Sequence, residues 1–129
     1  MVKRIMSMII IALLLVGLAF TESILVGNFM TEIQDSVDGL VAIYEASQDD
    51  ITGLRDTASS LENKWDSKEN SLGLMFNYKD LSYISDSFTR LTEYTEQNDY
   101  DDAIVEIHLL QEYLKRNYTN MSFNFNNIF

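Results

Sequence analysis

The sequence predicts an all-α protein: an N-terminal transmembrane helix followed by a small antiparallel four-helix extracytoplasmic domain built as two helical hairpins. Three observations carry this. The chain of 129 residues holds no proline, the usual helix breaker. Its first charges, Lys3 and Arg4, precede a run with no ionisable group from residue 5 to residue 20. Beyond residue 30 the apolar side chains return every three or four residues, the period of a helix with one buried face.

The first element is the apolar run. It resumes at Ile24, Leu25 and Val26 after Thr21, Glu22 and Ser23, so residues 5–26 make 22 in all. At about 1.5 Å per residue such a helix spans roughly 33 Å, enough for a bilayer. Lys3 and Arg4 lie before the run and the next basic residue is Arg55, so the positive-inside rule places the N-terminus in the cytoplasm and the rest of the chain outside. The competing reading is a cleaved signal peptide with Gly17-Leu18-Ala19 as its small-x-small site. Continuation of the apolar run past that site favours an uncleaved membrane anchor. A lipoprotein anchor is ruled out because the chain has no cysteine. Only four residues precede the run, so no cytoplasmic domain is expected. Residues 1–27 are thus assigned to the anchor, 28–118 to the helical domain and 119–129 to a tail.

The domain begins with a seam. Ile33, Val37, Leu40, Tyr44, Ser47, Ile51, Leu54, Ala58, Leu61 and Trp65 are spaced alternately by four and three, and Ser47 alone breaks the apolar set. A break is expected near residues 48–50, because Asp49 and Asp50 suit the start of a second helix, where carboxylates meet free backbone N–H groups. A parallel arrangement follows. Leu81, Ile84, Phe88 and Leu91 form one face and Tyr100, Ala103, Ile107, Leu110 and Leu114 another, with the polar residues 96–99 between them. The second set repeats the spacing of Ile51, Leu54, Ala58, Leu61 and Trp65, as a duplicated hairpin would. The expected helices are 29–47, 50–67, 79–97 and 99–118, with residues 67–73 as a polar loop between the hairpins. The tail alternates Phe123-Asn124-Phe125-Asn126 with the period of a strand, but is too short to form a sheet alone.

Composition removes several functions. Without cysteine there is no disulfide framework, thiolate zinc site or cysteine nucleophile. Beyond residue 30 the chain carries 7 basic and 19 acidic residues. That balance argues against nucleic acid, whose phosphates need a basic patch. His108, the sole histidine, has no nucleophile motif around it. Asp99, Asp101 and Asp102 fail the calcium-loop pattern, since the sixth residue from Asp99 is Ile104 and the twelfth is Leu110; helix capping accounts for them. Paired carboxylates for glycoside hydrolysis need a cleft that a slim bundle does not offer. Asn117-Tyr118-Thr119 and Asn120-Met121-Ser122 match the glycosylation pattern, which is short and common. The alternation of the tail is not repeated elsewhere, so an outer-membrane barrel is excluded. Residues 96–104 share the turn-and-helix pattern of tetratricopeptide repeats without their period of 34. The expectation is therefore no enzyme and no cofactor.

The chain also resembles a family of small, N-terminally anchored bacterial proteins of unknown function, mainly from Gram-positive spore-formers. The resemblance rests on Trp65, on Ile84, Phe88, Arg90 and Leu91, on Ala103, Ile107 and Leu110, and on the ending Asn127-Ile128-Phe129. Members often carry a histidine followed by acidic residues at the start of the third helix. This chain has Lys79-Asp80 there, so no role of that histidine is carried over. The resemblance implies a membrane-anchored helical protein and no particular activity.

What remains is binding. Tyr78, Tyr83, Tyr94 and Tyr113 fall off the main seam, and amphipathic aromatics of this kind are enriched at interfaces. With Phe123, Phe125, Ile128 and Phe129 of the tail they form the expected interaction set. The leading expectation is a protein–protein interaction or scaffold module that meets another envelope protein. The alternative is a ligand-sensing bundle.

Overall fold

A computed structural model describes the backbone of residues 1–47, 49–74 and 76–128, and side chains up to residue 117 apart from those at 22, 23, 48 and 75. The described residues form four helices and no strand: α1 (Val2–Ala46), α2 (Thr52–Leu72), α3 (Tyr78–Glu96) and α4 (Tyr100–Ile128). Each helix packs on its neighbours in the cycle α1–α2–α3–α4–α1. Short turns make successive helices antiparallel, so this is an up-and-down four-helix bundle.

The seam becomes the core. Ile33, Val37, Leu40, Leu54, Ala58 and Trp65 from the first hairpin are fully buried against Ile84, Phe88, Leu91, Ala103, Ile107, Leu110 and Leu114 from the second. Trp65 stands at its centre, 6.2 Å from the Phe29 ring and 5.8 Å from the Phe88 ring. Its indole N–H donates to Ser85 Oγ at 2.8 Å, and Ser85 donates in turn to Glu69 at 3.0 Å. The polar tip of the largest side chain is thereby satisfied where water cannot reach it. Ser47, the exception on the seam, is buried as well, and its hydroxyl donates back to the Ile43 carbonyl.

The expected break between the first two helices is present. Asp50 lies one residue before the N-cap of α2 and accepts from the Thr52 backbone N–H (3.0 Å) and hydroxyl (2.7 Å). At the other hairpin Asn98 takes the left-handed conformation (φ 57°), and the Asp99 N–H donates to the Tyr94 carbonyl at 2.8 Å, closing α3. Asp99 then accepts from the Asp102 N–H at 3.2 Å and opens α4.

Three boundaries differ from expectation. The apolar run and the first bundle helix are one continuous 45-residue helix, because Thr21-Glu22-Ser23 holds no glycine or proline to end it. Residues 67–72 are helix rather than loop: Leu72 is buried and Ser67 returns its hydroxyl to the Lys64 carbonyl. The tail continues α4 to Ile128 and does not form the extended segment its alternation suggested. A strand needs a neighbour to pair its backbone, whereas a helix satisfies its own.

The two ends of α1 have opposite environments. Side chains from Val2 to Leu25 are exposed apart from the undescribed pair at 22 and 23, and the core begins at Val26. This helix is apolar enough to cross a membrane, with a mean hydropathy of 2.6 over its best window.

Candidate interaction surface

The four tyrosines fall in different surroundings. Tyr83 on α3 and Tyr113 on α4 come together as a stacked pair, with ring centroids 5.9 Å apart and planes inclined by 19°. The residues reach this contact because α3 and α4 are antiparallel with Arg90 opposite Glu106, and Tyr83 and Tyr113 stand about two turns further along that seam. Tyr113 also packs on the core, while Tyr83 stays 47% exposed. Asp80, Arg116 and Asn117 complete a shallow cleft of about 350 Å³ around the pair. Arg116 is drawn toward Glu112 at 3.4 Å, and the Asn117 amide donates to the Tyr113 carbonyl at 2.9 Å. Tyr78 opens α3 at the same end of the bundle and is 80% exposed. Tyr94 stands apart, three turns beyond Tyr83 and packed against the core. The side chains of Phe123, Phe125 and Ile128, and all of Phe129, lie outside the described residues.

Beneath this face lies a polar cluster that the apolar pattern did not reveal. Glu106 is buried yet accepts from the Ser87 hydroxyl and from Arg90, through Nε at 3.1 Å and through the guanidinium terminus at 3.0 Å. The hydrogen bond to Glu106 raises the Arg90 pKa, so this cation is permanently charged. The visible signal was positional: Glu106 follows Ala103 by three and precedes Leu110 by four, a core spacing occupied by a charge.

His108 is exposed and meets Gln111 Oε1 at 3.0 Å, while the Gln111 amide donates to Asp38 at 2.9 Å. The three link α4 to α1 across the surface. Among the described residues no group of three or more His, Asp or Glu side chains is placed to hold a metal ion.

The architecture defines a class: small all-α chains in which an apolar N-terminal helix runs directly into an up-and-down bundle. Within that class this chain belongs to the family described as a domain of unknown function, DUF4363, whose pattern it matches over residues 28–128. The matched stretch starts where the exposed apolar run ends, so the family domain is the bundle itself. No curated protein and no solved structure matches the chain.

Proposed function

We propose that this protein is a membrane-anchored interaction module whose α1 holds the bundle on the outer side of the bacterial cytoplasmic membrane, where the α3–α4 face binds another envelope protein. One observation carries the reading: Tyr83 and Tyr113 stack in the open on a helical face, flanked by Asp80 and Arg116. Stacked, rotamer-poor aromatics beside charged side chains are what protein partners bury in the centre of an interface. The bundle core filled by Trp65 and Phe88 supports a rigid scaffold over a ligand-sensing cavity. Lys3 and Arg4 before the apolar run support the orientation.

A photo-reactive phenylalanine analogue placed at Tyr83 in the full chain, in cells, tests the reading. A discrete adduct with one protein, absent when the analogue replaces Glu45 and lost on Tyr113→Ala, would support it. No adduct at Tyr83 would overturn it. The native chain has no cysteine, so a single introduced cysteine at Glu45 reports topology with a membrane-impermeant thiol reagent. Labelling only after lysis would place the bundle inside and overturn the assigned orientation.

A further inference from the structure

The end of the bundle nearest the apolar run holds a groove that the α3–α4 face does not use. It measures about 210 Å³, and its lining includes Leu25, Val26 and Phe29 of α1, Lys68 and Ser71 of α2, and Leu74 in the turn that follows. Its origin is legible in the seam. The spacing that runs through Leu61 and Trp65 next reaches 68 and then 72. Leu72 is buried as the pattern demands, but position 68 is a lysine, and the bundle opens there.

Its height on the molecule follows from the register of α1 and α2. Lys64 pairs with Glu32 and Trp65 stacks on Phe29, so Lys68 stands about one turn closer to the apolar run than Glu32 does. Leu25 belongs to both surfaces: it is the last strongly exposed apolar side chain of the run and a wall of the groove. Leu74 is 81% exposed at the tip of the α2–α3 turn, an expensive place for a leucine in water and an ordinary one at a lipid boundary. Lys68 is exposed and has no ion pair among the described residues. Lys64, Lys68, Lys79, Lys115 and Arg116 lie toward the apolar end among the acids Glu32, Asp66, Glu69, Asp80 and Glu112, whereas the two opposite turns are acidic through Asp49, Asp50, Asp99, Asp101 and Asp102.

We propose that this groove binds an anionic phospholipid of the leaflet on the bundle's side, with the Lys68 ammonium on the lipid phosphate, the upper acyl chain against Leu25, Val26 and Phe29, and Leu74 inserted beside it. The proposal rests on α1 crossing the bilayer, because that places the groove at the headgroup boundary. A lysine stem lying along apolar walls with its ammonium at the phosphate level is the geometry long cations adopt at membrane interfaces. The Lys68 ammonium supplies the charge complement for an anionic phosphate at the headgroup level.

The test uses the full chain in vesicles of phosphatidylglycerol with phosphatidylcholine, or of phosphatidylcholine alone. Single cysteines at Leu74→Cys, Leu14→Cys and Glu45→Cys carry an environment-sensitive fluorophore, and lipids spin-labelled near the headgroup act as quenchers. The expected result is severalfold stronger quenching at Leu74→Cys than at Glu45→Cys. That quenching should be greater with phosphatidylglycerol, reduced by Lys68→Glu and restored by Lys68→Arg. Quenching at Leu74→Cys that ignores both lipid charge and Lys68→Glu would overturn the phosphate assignment. A Leu74→Cys label no more quenched than Glu45→Cys, while deep-labelled lipids quench Leu14→Cys, would overturn the site and leave the spanning helix standing. No quenching at Leu14→Cys would remove the spanning helix and the site together.

Discussion

Glu106 illustrates how a single charge inside a bundle is held. Its carboxylate sits almost out of solvent and accepts hydrogen bonds from Arg90 and Ser87. Losing the guanidinium leaves a buried anion with only a hydroxyl. Arg90→Met should therefore destabilise the bundle by about 1–3 kcal/mol, less than for a fully buried pair because the Arg90 side chain is itself 41% exposed. Adding Glu106→Leu should recover much of that loss, and thermal unfolding of the two variants in detergent measures the difference. Equal melting temperatures for Arg90→Met and the native chain would show that the ion pair contributes nothing. Asp102 makes a second prediction of the opposite electrostatic kind. Its carboxyl is pushed up, first by a hydrogen bond to the Asp99 side chain and then by the Asp99 charge. A carboxyl raised by folding binds its proton more tightly in the folded state. Its contribution is therefore complete below the ordinary carboxylate range and is lost as pH rises through the raised value. Asp102→Asn should flatten that decline above the ordinary carboxylate range, as read from denaturation midpoints measured across it. Asp50, pulled down by the Thr52 hydroxyl and N–H, works in the other direction and favours the fold at the higher pH.

Among the elements, α1 is the most demanding, since one helix has two kinds of surface along its length. Its first half offers apolar side chains on every side, and its second half buries one stripe, Ile33, Val37 and Leu40, while turning Glu32, Asp35 and Asp38 outward. Gly39 interrupts the propensity of this second half, and a Cβ there would meet nothing within 4 Å. Gly39→Ala should stabilise the bundle by about 0.5–1 kcal/mol, by restricting the unfolded chain without straining the helix. A lower denaturation midpoint for this variant would mean that the space is needed by a neighbour. The helix interiors were legible in the sequence because burial on one stripe imposes its period, as the run from Ile33 to Trp65 shows. The ends were harder to read. Residues 67–72 look like a loop in composition, yet Leu72 anchors them to the core and Glu69 takes up Ser85. The tail alternates like a strand, yet it has no strand to pair with, so α4 simply continues.

At the scale of the whole molecule, the apolar run and the bundle share a helix but little packing. Among the described residues, no side chain before Val26 is part of the core. Removing residues 1–23 should therefore leave a water-soluble helical domain that unfolds in one cooperative transition, measured by circular dichroism at 222 nm. A molten, non-cooperative product would show that the apolar half of α1 supports the bundle directly. The same axis organises the surface. The Tyr83–Tyr113 pair and Tyr78 lie toward the apolar end, so a partner engaged there would approach close to the bilayer.

The sequence by itself determined the helical class, the apolar N-terminal run long enough to cross a membrane, the number of bundle helices and nearly all of the core, because each follows from local periodicity and charge along the chain. Tertiary structure decided the rest. Only the antiparallel register of α3 and α4 brings Tyr83 onto Tyr113 and Arg90 onto Glu106. Only the register of α2 against α1 puts Lys68 where the apolar run gives out. Residues far apart in sequence meet through helix length and turn geometry, and periodicity within a single helix says which face is buried without saying what it will be buried against.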